Sequence, residues 1–362
     1  MICNGIEINV LRGKEKIGEN LIEIKDRDTK ILLECGVALS PTEKSRLIEN
    51  EVAKAPYDAV IITHSHKDHA GLLSIPINSR KIYMGKPTCD ILLAQGEICK
   101  ENQDKIEHIF SNRSFLLGSL EIVPHLCDHS AYDSYMIEIR RKETVVLYTG
   151  DFRSNGRKSY ERLLSFLPTN IDVLITEATN QRKKEQTEIA LEDIATDEIK
   201  NHKITFVLQS RTNADRVVSI YKASRRAKKP LFMPTTMADL VSLCPGIPNP
   251  KQYSGIYPYM PYKINESTIK RQNFVMLIYS SMTKYLEKID KITPLRNCLL
   301  IYSMWQGYKR ESKSIKELLS SAKRLGIRVI CLHVSGHADK QAQKMLIEKT
   351  RPKKIITVHS DK

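Results

Sequence analysis

Short runs of alternating apolar and polar residues dominate the first half of the chain. Residues 6–11, 21–24 and 30–33 have the two-residue period of half-buried strands, with Gly and Asp between them. Residues 58–63 are mostly apolar and predict a buried strand that opens into a loop. Residues 120–124 predict a strand ended by Pro124, 135–139 and 144–148 a hairpin around the charged turn 140–143, and 173–176 one more strand. Near residue 181 the period changes. Helical spacing over 187–200, 213–229, 312–325 and 339–349 alternates with apolar runs at 204–208, 231–234, 299–302, 328–332 and 354–358. Such β-α alternation predicts a parallel sheet. The Pro- and Tyr-rich stretch 245–262 predicts a long surface loop. No internal repeat or low-complexity tract interrupts the pattern.

A chain of 362 residues suggests two domains, or one domain with a large insertion. Apolar residues at 41% and charged residues at 27% exclude a disordered chain. No apolar run approaches the ~18 residues of a membrane helix, so no membrane partner is expected. The first residues lack a basic stretch followed by an apolar one, so no signal peptide is expected. Eight cysteines stand singly, with no C-x-x-C pair. They predict a reduced, cytoplasmic protein without disulfides or a thiolate zinc site.

Net charge is +15, and its location matters. Residues 1–180 carry 23 Lys and Arg against 26 Asp and Glu, a net −3; residues 181–330 carry 27 against 13, a net +14. Residues 331–362 carry 7 against 3, a net +4. A basic middle segment suits a polyanionic partner, although a solvated lysine-rich surface has the same composition.

The chemistry concentrates in Thr63-His64-Ser65-His66-Lys67-Asp68-His69-Ala70-Gly71, directly after a predicted strand. Imidazole nitrogens and carboxylate oxygens suit zinc and similar divalent ions. Four ligands so close in sequence cannot all serve one ion with good geometry. His64 and His66 point to one metal, and Asp68 and His69 to a second, roughly 3.5–4 Å away. Later strand ends offer His129, Asp151 and His359. The first ion would take His64, His66 and His129, and the second Asp68, His69 and His359. Asp151 would bridge both.

This H-x-H-x-D-H run, the later single His, a Gly-Asp after a strand and a strand-end His resemble the ligand motifs of the metallo-β-lactamase fold hydrolases. Thr176-Glu177-Ala178-Thr179-Asn180 resembles the acidic motif of the β-CASP nucleases, and His333-Val334-Ser335-Gly336-His337-Ala338 their histidine motif. Residues 302–308, with Trp305 and Gly307, resemble the Trp-Gly stretch of the β-CASP insertion. The pattern is most similar to the ribonuclease J group. The resemblance implies an α/β protein, a four-layer αβ/βα metallo-β-lactamase fold with an inserted β-CASP α/β domain. It implies a first part at 1–180, the insertion at 181–330 and a return at 331–362.

The implied activity is metal-dependent hydrolysis of phosphodiester bonds in RNA, as an exo- or endoribonuclease. The implied cofactors are two divalent ions, zinc first and manganese as the alternative, and the partner is RNA or another single-stranded nucleic acid. Homo-oligomerisation stays open. The metals would hold the scissile phosphate and generate hydroxide, with Asp68 and Asp151 holding the metals and Asp151 also orienting the hydroxide. His337 would give the leaving 3′ oxygen its proton, kept charged and oriented by Glu177. His333, Ser335 and Gly336 would hold a neighbouring phosphate. Lys222, Arg225, Arg226, Lys228 and Lys229 on the basic helix are candidate phosphate contacts. Trp305 is expected at a buried interface in preference to stacking on a base.

Three departures stand out: Glu34 where the fold commonly has Asp, no Pro after His129, and no C-terminal extension of the kind that helps dimerisation. Three rival readings remain: a DNA exonuclease or repair nuclease, a small-molecule metallohydrolase, and an inactive RNA-binding scaffold subunit.

Overall fold

The computed structural model describes residues 1–14, 16–247, 255–260, 263–264 and 266–360. The chain divides into two compact units: Met1–Glu185 with Gly336–Lys362, and Gln186–Ser335.

The first unit begins with seven strands in one sheet: β1 (Ile2–Cys3), β2 (Ile6–Arg12), β3 (Leu21–Asp26), β4 (Thr29–Leu33), β5 (Tyr57–Ile61), β6 (Ser79–Gly85) and β7 (Ile106–Ile109). The first four run antiparallel; from β4 to β7 neighbours are parallel. A second sheet holds β8 (Phe115–Leu117), β9 (Leu120–Cys127), β10 (Ser134–Arg141), β11 (Thr144–Tyr148) and β12 (Val173–Glu177). The two sheets pack face to face through Ile8, Ile22, Ile31 and Ile61 on one side and Ile122, Ile137, Val146 and Ile175 on the other. Their outer faces are covered by helices. Glu43–Lys54 and Lys86–Ala94 cover the first sheet, and Tyr160–Phe166 and Lys340–Thr350 the second. The result is the four-layer αβ/βα sandwich of the metallo-β-lactamase fold.

The second unit is a six-stranded, all-parallel sheet. Its strands are β13 (Ile204–Leu208), β14 (Leu231–Pro234), β15 (Ile256–Tyr259), β16 (Phe274–Ile278), β17 (Leu299–Tyr302) and β18 (Arg328–Cys331). They are ordered β15-β14-β16-β13-β17-β18. Separate apolar clusters lie on its two faces, as both-side burial of a parallel sheet requires. Side-chain caps set where its longer helices begin. Thr187 accepts from the Ala190 N–H, Asn213 from Arg216 and Ser312 from Ile315. This unit is the inserted β-CASP domain. The chain then returns to the first unit, where β19 (Lys354–Val358) pairs in parallel with β12.

Four expectations are corrected. Pro124 does not end its strand: β9 continues to Cys127, with Pro124 opposite Ile137. On its other side β9 pairs with β8 only from Leu120 to Ile122, so beyond that point the missing proline N–H breaks no ladder bond. Within 245–262, Ile256–Tyr259 forms β15 against β14 instead of a loop; residues 248–254, 261 and 262 lie outside the described residues. Lys229 is buried and donates to the Ile199 carbonyl at 2.7 Å, so it caps a helix end and is not a phosphate contact. Trp305 is 50% exposed instead of buried. All eight cysteines are free thiols, and among the described residues no helix is long and apolar enough to cross a membrane.

Candidate metal centre

Every candidate ligand lies beyond the C-terminal end of a strand of the first unit. Because β9, β11, β12 and β19 run the same way, their loops emerge at one end of the second sheet. Those loops carry His129, Asp151 and His359, and Glu177 is the last residue of β12. The loop after β5 carries His64 and His66, and the helix Lys67–Ala70 that follows carries Asp68 and His69.

His64, His66 and His129 bring one ring nitrogen each to a common point. His66 Nδ1 lies 3.2 Å from His64 Nε2 and 3.1 Å from His129 Nε2. A second group joins Asp68, His69 and His359, with His359 Nε2 3.0 Å from Asp68 Oδ2. Asp151 Oδ2 stands between them, 3.2 Å from His69 Nε2 and 3.9 Å from both His64 Nε2 and His129 Nε2.

The outward nitrogens of these rings are already committed. His64 Nδ1 donates to Thr63 Oγ1 at 3.0 Å, and Thr63 Oγ1 in turn donates to Glu34. His69 Nδ1 donates to Glu34 Oε1 at 3.0 Å. His129 Nδ1 donates to the Gly336 carbonyl at 2.6 Å, and His359 Nδ1 to Thr179 Oγ1 at 2.7 Å. These bonds fix the tautomers so that each Nε2 turns a lone pair inward. Gly336 has to be glycine for this: a Cβ there would press on Ser130 and on the His129 ring. Glu34, at φ +66°, also accepts from the Thr63 N–H and the Tyr148 hydroxyl, so the longer acid is fully used as a support.

Inward lone pairs 3.1–3.2 Å apart repel one another unless a cation lies between them. Burial, reinforced by neighbouring imidazoles, holds His64 and His129 well below the ordinary histidine range. Burial lowers His66 as well, against the pull of Asp68 and Asp151. Burial alone would raise Asp151, but His359, His69 and His337 hold it well below the usual carboxylate range. Its Oδ1 is buried with no hydrogen-bond partner. Neutral imidazoles at His64, His66 and His129, an ionised carboxylate and a buried oxygen that accepts no hydrogen bond are a donor set that fits divalent metal.

Beside this centre stands a second pair. His337 Nδ1 donates to Glu177 Oε2 at 2.8 Å and lies 3.6 Å from Asp151 Oδ2. Glu177 Oε1 accepts from the Phe152 N–H at 3.0 Å, which ties it to the loop that carries Asp151. Burial pulls the His337 imidazole down, but Glu177 and Asp151 outweigh it and raise it to about 9.

The other candidates are dispersed. His333 and Ser335 belong to the second unit, and Gly336 to the first. Arg225 and Arg226 end the helix Ala214–Arg226; Arg226 is paired with Asp193 at 2.7 Å. Sequence reading missed Asn20. It is buried, with Nδ2 3.1 Å from His69 Nε2 and Oδ1 without a partner. It sits in a turn-forming Gly-Glu-Asn, where nothing in the periodicity separates a site residue from a loop residue.

A sandwich with four ligand-bearing strand ends on one side and two ligand trios sharing a carboxylate defines a metallo-β-lactamase-type metal-binding protein. A model of the Beta-lactamase superfamily domain matches residues 29–216, more than half of the chain, and the chain belongs to that family. A second model, the Zn-dependent metallo-hydrolase RNA specificity domain, matches residues 324–362. The chain is 26% identical to an RNase J-like protein of Methanocaldococcus jannaschii, over 46% of this chain and 41% of that one. It is 21% identical to ribonuclease J of Pyrococcus abyssi, over 99% of this chain and 90% of that one. The matched stretch thus spans less than half of the first relative and nearly all of the second. A crystal structure of a protein of unknown function from Enterococcus faecalis V583 shares the fold, with a TM-score of 0.75 at 18% identity over 98% of this chain and 94% of that one.

Proposed function

We propose that this protein is a cytoplasmic metal-dependent ribonuclease that hydrolyses phosphodiester bonds, with two divalent ions, zinc or manganese, held by His64, His66, His129, Asp68, His69, His359 and the shared Asp151. The observation that carries the reading is the Glu177–His337 pair: a proton donor beside a metal centre, yet surplus to its ligand count. The match to an RNA specificity domain and the ribonuclease J relatives support RNA as the substrate.

Bound ions would supply Lewis acidity toward phosphate and water. The chain's own residues do the rest. Asp151 fixes both ligand groups relative to each other. With Nδ1 held by Glu177, the protonated His337 carries its transferable proton on Nε2, where a leaving 3′ oxygen can take it. Asn20 positions this side of the centre: its amide donates to the Asp68 carbonyl at 3.2 Å and lies 3.1 Å from His69 Nε2. His333, Ser335, Arg225 and Arg226 remain candidates for contacts to the rest of the strand.

The test is to incubate metal-replete protein with RNA labelled at the 5′ or the 3′ end, and with DNA of the same sequence. The reading expects RNA cleavage abolished by chelation and restored by zinc or manganese. Cleavage of DNA alone would replace it with the DNA nuclease reading. Binding without cleavage under every metal condition would favour a scaffold subunit.

A further inference from the structure

The second unit carries an aromatic cluster that the hydrolytic chemistry leaves unused. Trp305, the one tryptophan of the chain, is 50% exposed and Tyr308 is 41% exposed. Their ring centroids lie 5.3 Å apart with planes at 89°, so one ring braces the other edge to face. The indole lies over Gly307, where any Cβ would overlap it. The Trp305 carbonyl accepts from the Tyr302 hydroxyl at 2.8 Å, which pins the backbone under the ring. Trp305 is therefore seated on its protein side and open on the other.

The surroundings decide what this open ring can take. Tyr308 begins the short helix Tyr308–Glu311, which also carries Lys309 and the exposed Arg310. Lys309 Nζ lies 4.5 Å from the Tyr302 ring centroid, so it is held at the cluster. The unit as a whole carries 24 Lys and Arg against 12 Asp and Glu over residues 186–335. An exposed π-face with basic residues on the adjoining helix turn, on a basic domain, suits a ligand that alternates flat rings with negative charge. Single-stranded nucleic acid has that chemistry.

We infer that Trp305 and Tyr308 form a stacking subsite for an unpaired base of single-stranded RNA, with Arg310 on the adjoining phosphate. The inference rests on the ribonuclease reading and adds a binding residue to it. Base stacking of this kind is worth roughly 5- to 150-fold in affinity.

The single tryptophan makes the test direct, because intrinsic fluorescence reports on this ring alone. Full-length, metal-replete protein is titrated with single-stranded oligoadenylate whose phosphorothioate backbone resists hydrolysis, so that the strand stays intact. Tryptophan emission and the anisotropy of an end label are followed together. Emission should fall in step with anisotropy. RNA duplex of equal length, whose bases are already stacked, should bind without that fall. Trp305→Leu should weaken single-strand binding by roughly 5- to 150-fold, and Trp305→Phe should retain most of it; unchanged thermal midpoints exclude a folding effect. Binding with unchanged emission, or wild-type affinity in Trp305→Leu, overturns the subsite. A change of oligomeric state in Trp305→Leu would make the ring a contact between copies and overturn it too. If the wild-type chain neither binds nor cleaves RNA, the ribonuclease reading fails first and takes the subsite with it.

Discussion

Replacing Glu177 by Gln keeps the size of the side chain and removes one charge. Gln can still accept from the Phe152 N–H, as Glu177 Oε1 does at 3.0 Å. A neutral amide no longer offsets the charge of the imidazolium, so His337 gives up its proton at lower pH. The raise of His337 from 6.5 to about 9 corresponds, at ~1.4 kcal/mol per unit, to on the order of 3 kcal/mol in favour of the charged form. Glu177 at 2.8 Å contributes more than Asp151 at 3.6 Å. A raised histidine is protonated below its folded value and loses the proton as pH rises through it. In the wild type a general acid therefore survives to alkaline pH, and in Glu177→Gln it is lost earlier. Bound cations lower His337 in both proteins alike, so the difference is the readout. The assay is kcat/KM for RNA cleavage from pH 6 to 9.5 with saturating metal. The alkaline limb of Glu177→Gln should move down by roughly one to two pH units. Near pH 6 the two rates should lie within a few-fold, and near pH 8.5 they should differ by about tenfold or more. Parallel profiles at all pH values would show that Glu177 does not act through the charge of His337.

Asp151→Ala should lose metal and activity together, because its Oδ2 faces both ligand groups; elemental analysis showing full metal content would make Asp151 dispensable as a ligand. His337→Ala should keep its metal and cleave roughly 10²–10⁴-fold more slowly, and single-turnover rates beside metal content separate that from the loss of a ligand. RNA affinity should fall with salt, with a slope of about −0.7 per phosphate contact. Charge reversal at Arg225 and Arg226 should flatten it, and affinity unchanged between roughly 50 and 200 mM salt would leave the basic unit a solvated surface. Glu188→Ala should destabilise the second unit by roughly 3–5 kcal/mol, because it strands the buried Arg216, which lies 2.9 Å from Glu188; a denaturation midpoint within error of wild type would refute this.

The candidate ligands that the structure brings together were legible in the sequence because metal chemistry restricts residue types severely. Three histidines and an aspartate within six residues have few other uses, and strand-end positions identify where partners can come from. The residues that support the ligands were harder to read. Thr63 and Thr179 lie inside motifs already noticed, but their hydroxyls matter only through the ring nitrogens they accept from, which is a fact of three-dimensional geometry. Asn20 and Tyr148 carry no local mark at all. Strand existence was legible from period two. Strand ends were not, since Pro124 is tolerated only because β8 stops short of it. The exposure of Trp305, expected at a buried interface, was not legible either, because the Gly307 seat that holds the ring on a surface is a fact of three-dimensional geometry.

The order of ligands along the chain constrains how the centre is assembled. His64, His66, Asp68, His69, His129 and Asp151 precede the inserted unit, whereas His359 follows it, as does the proton donor His337. The first trio is complete before the insertion, yet its His129 is oriented by the carbonyl of Gly336, which comes after. The second trio lacks its third member until β19 pairs with β12 and sets His359 beside Asp68. Both trios thus depend on contacts between segments about 180 residues or more apart, the class of contact that is slowest to form and weakest when alone. Metal bound by those residues would tie the returning segment to the rest of the sandwich, since binding that requires the assembled ligands stabilises the assembled state. A centre built this way would couple the integrity of the split unit to the presence of the ions that would make it chemically competent.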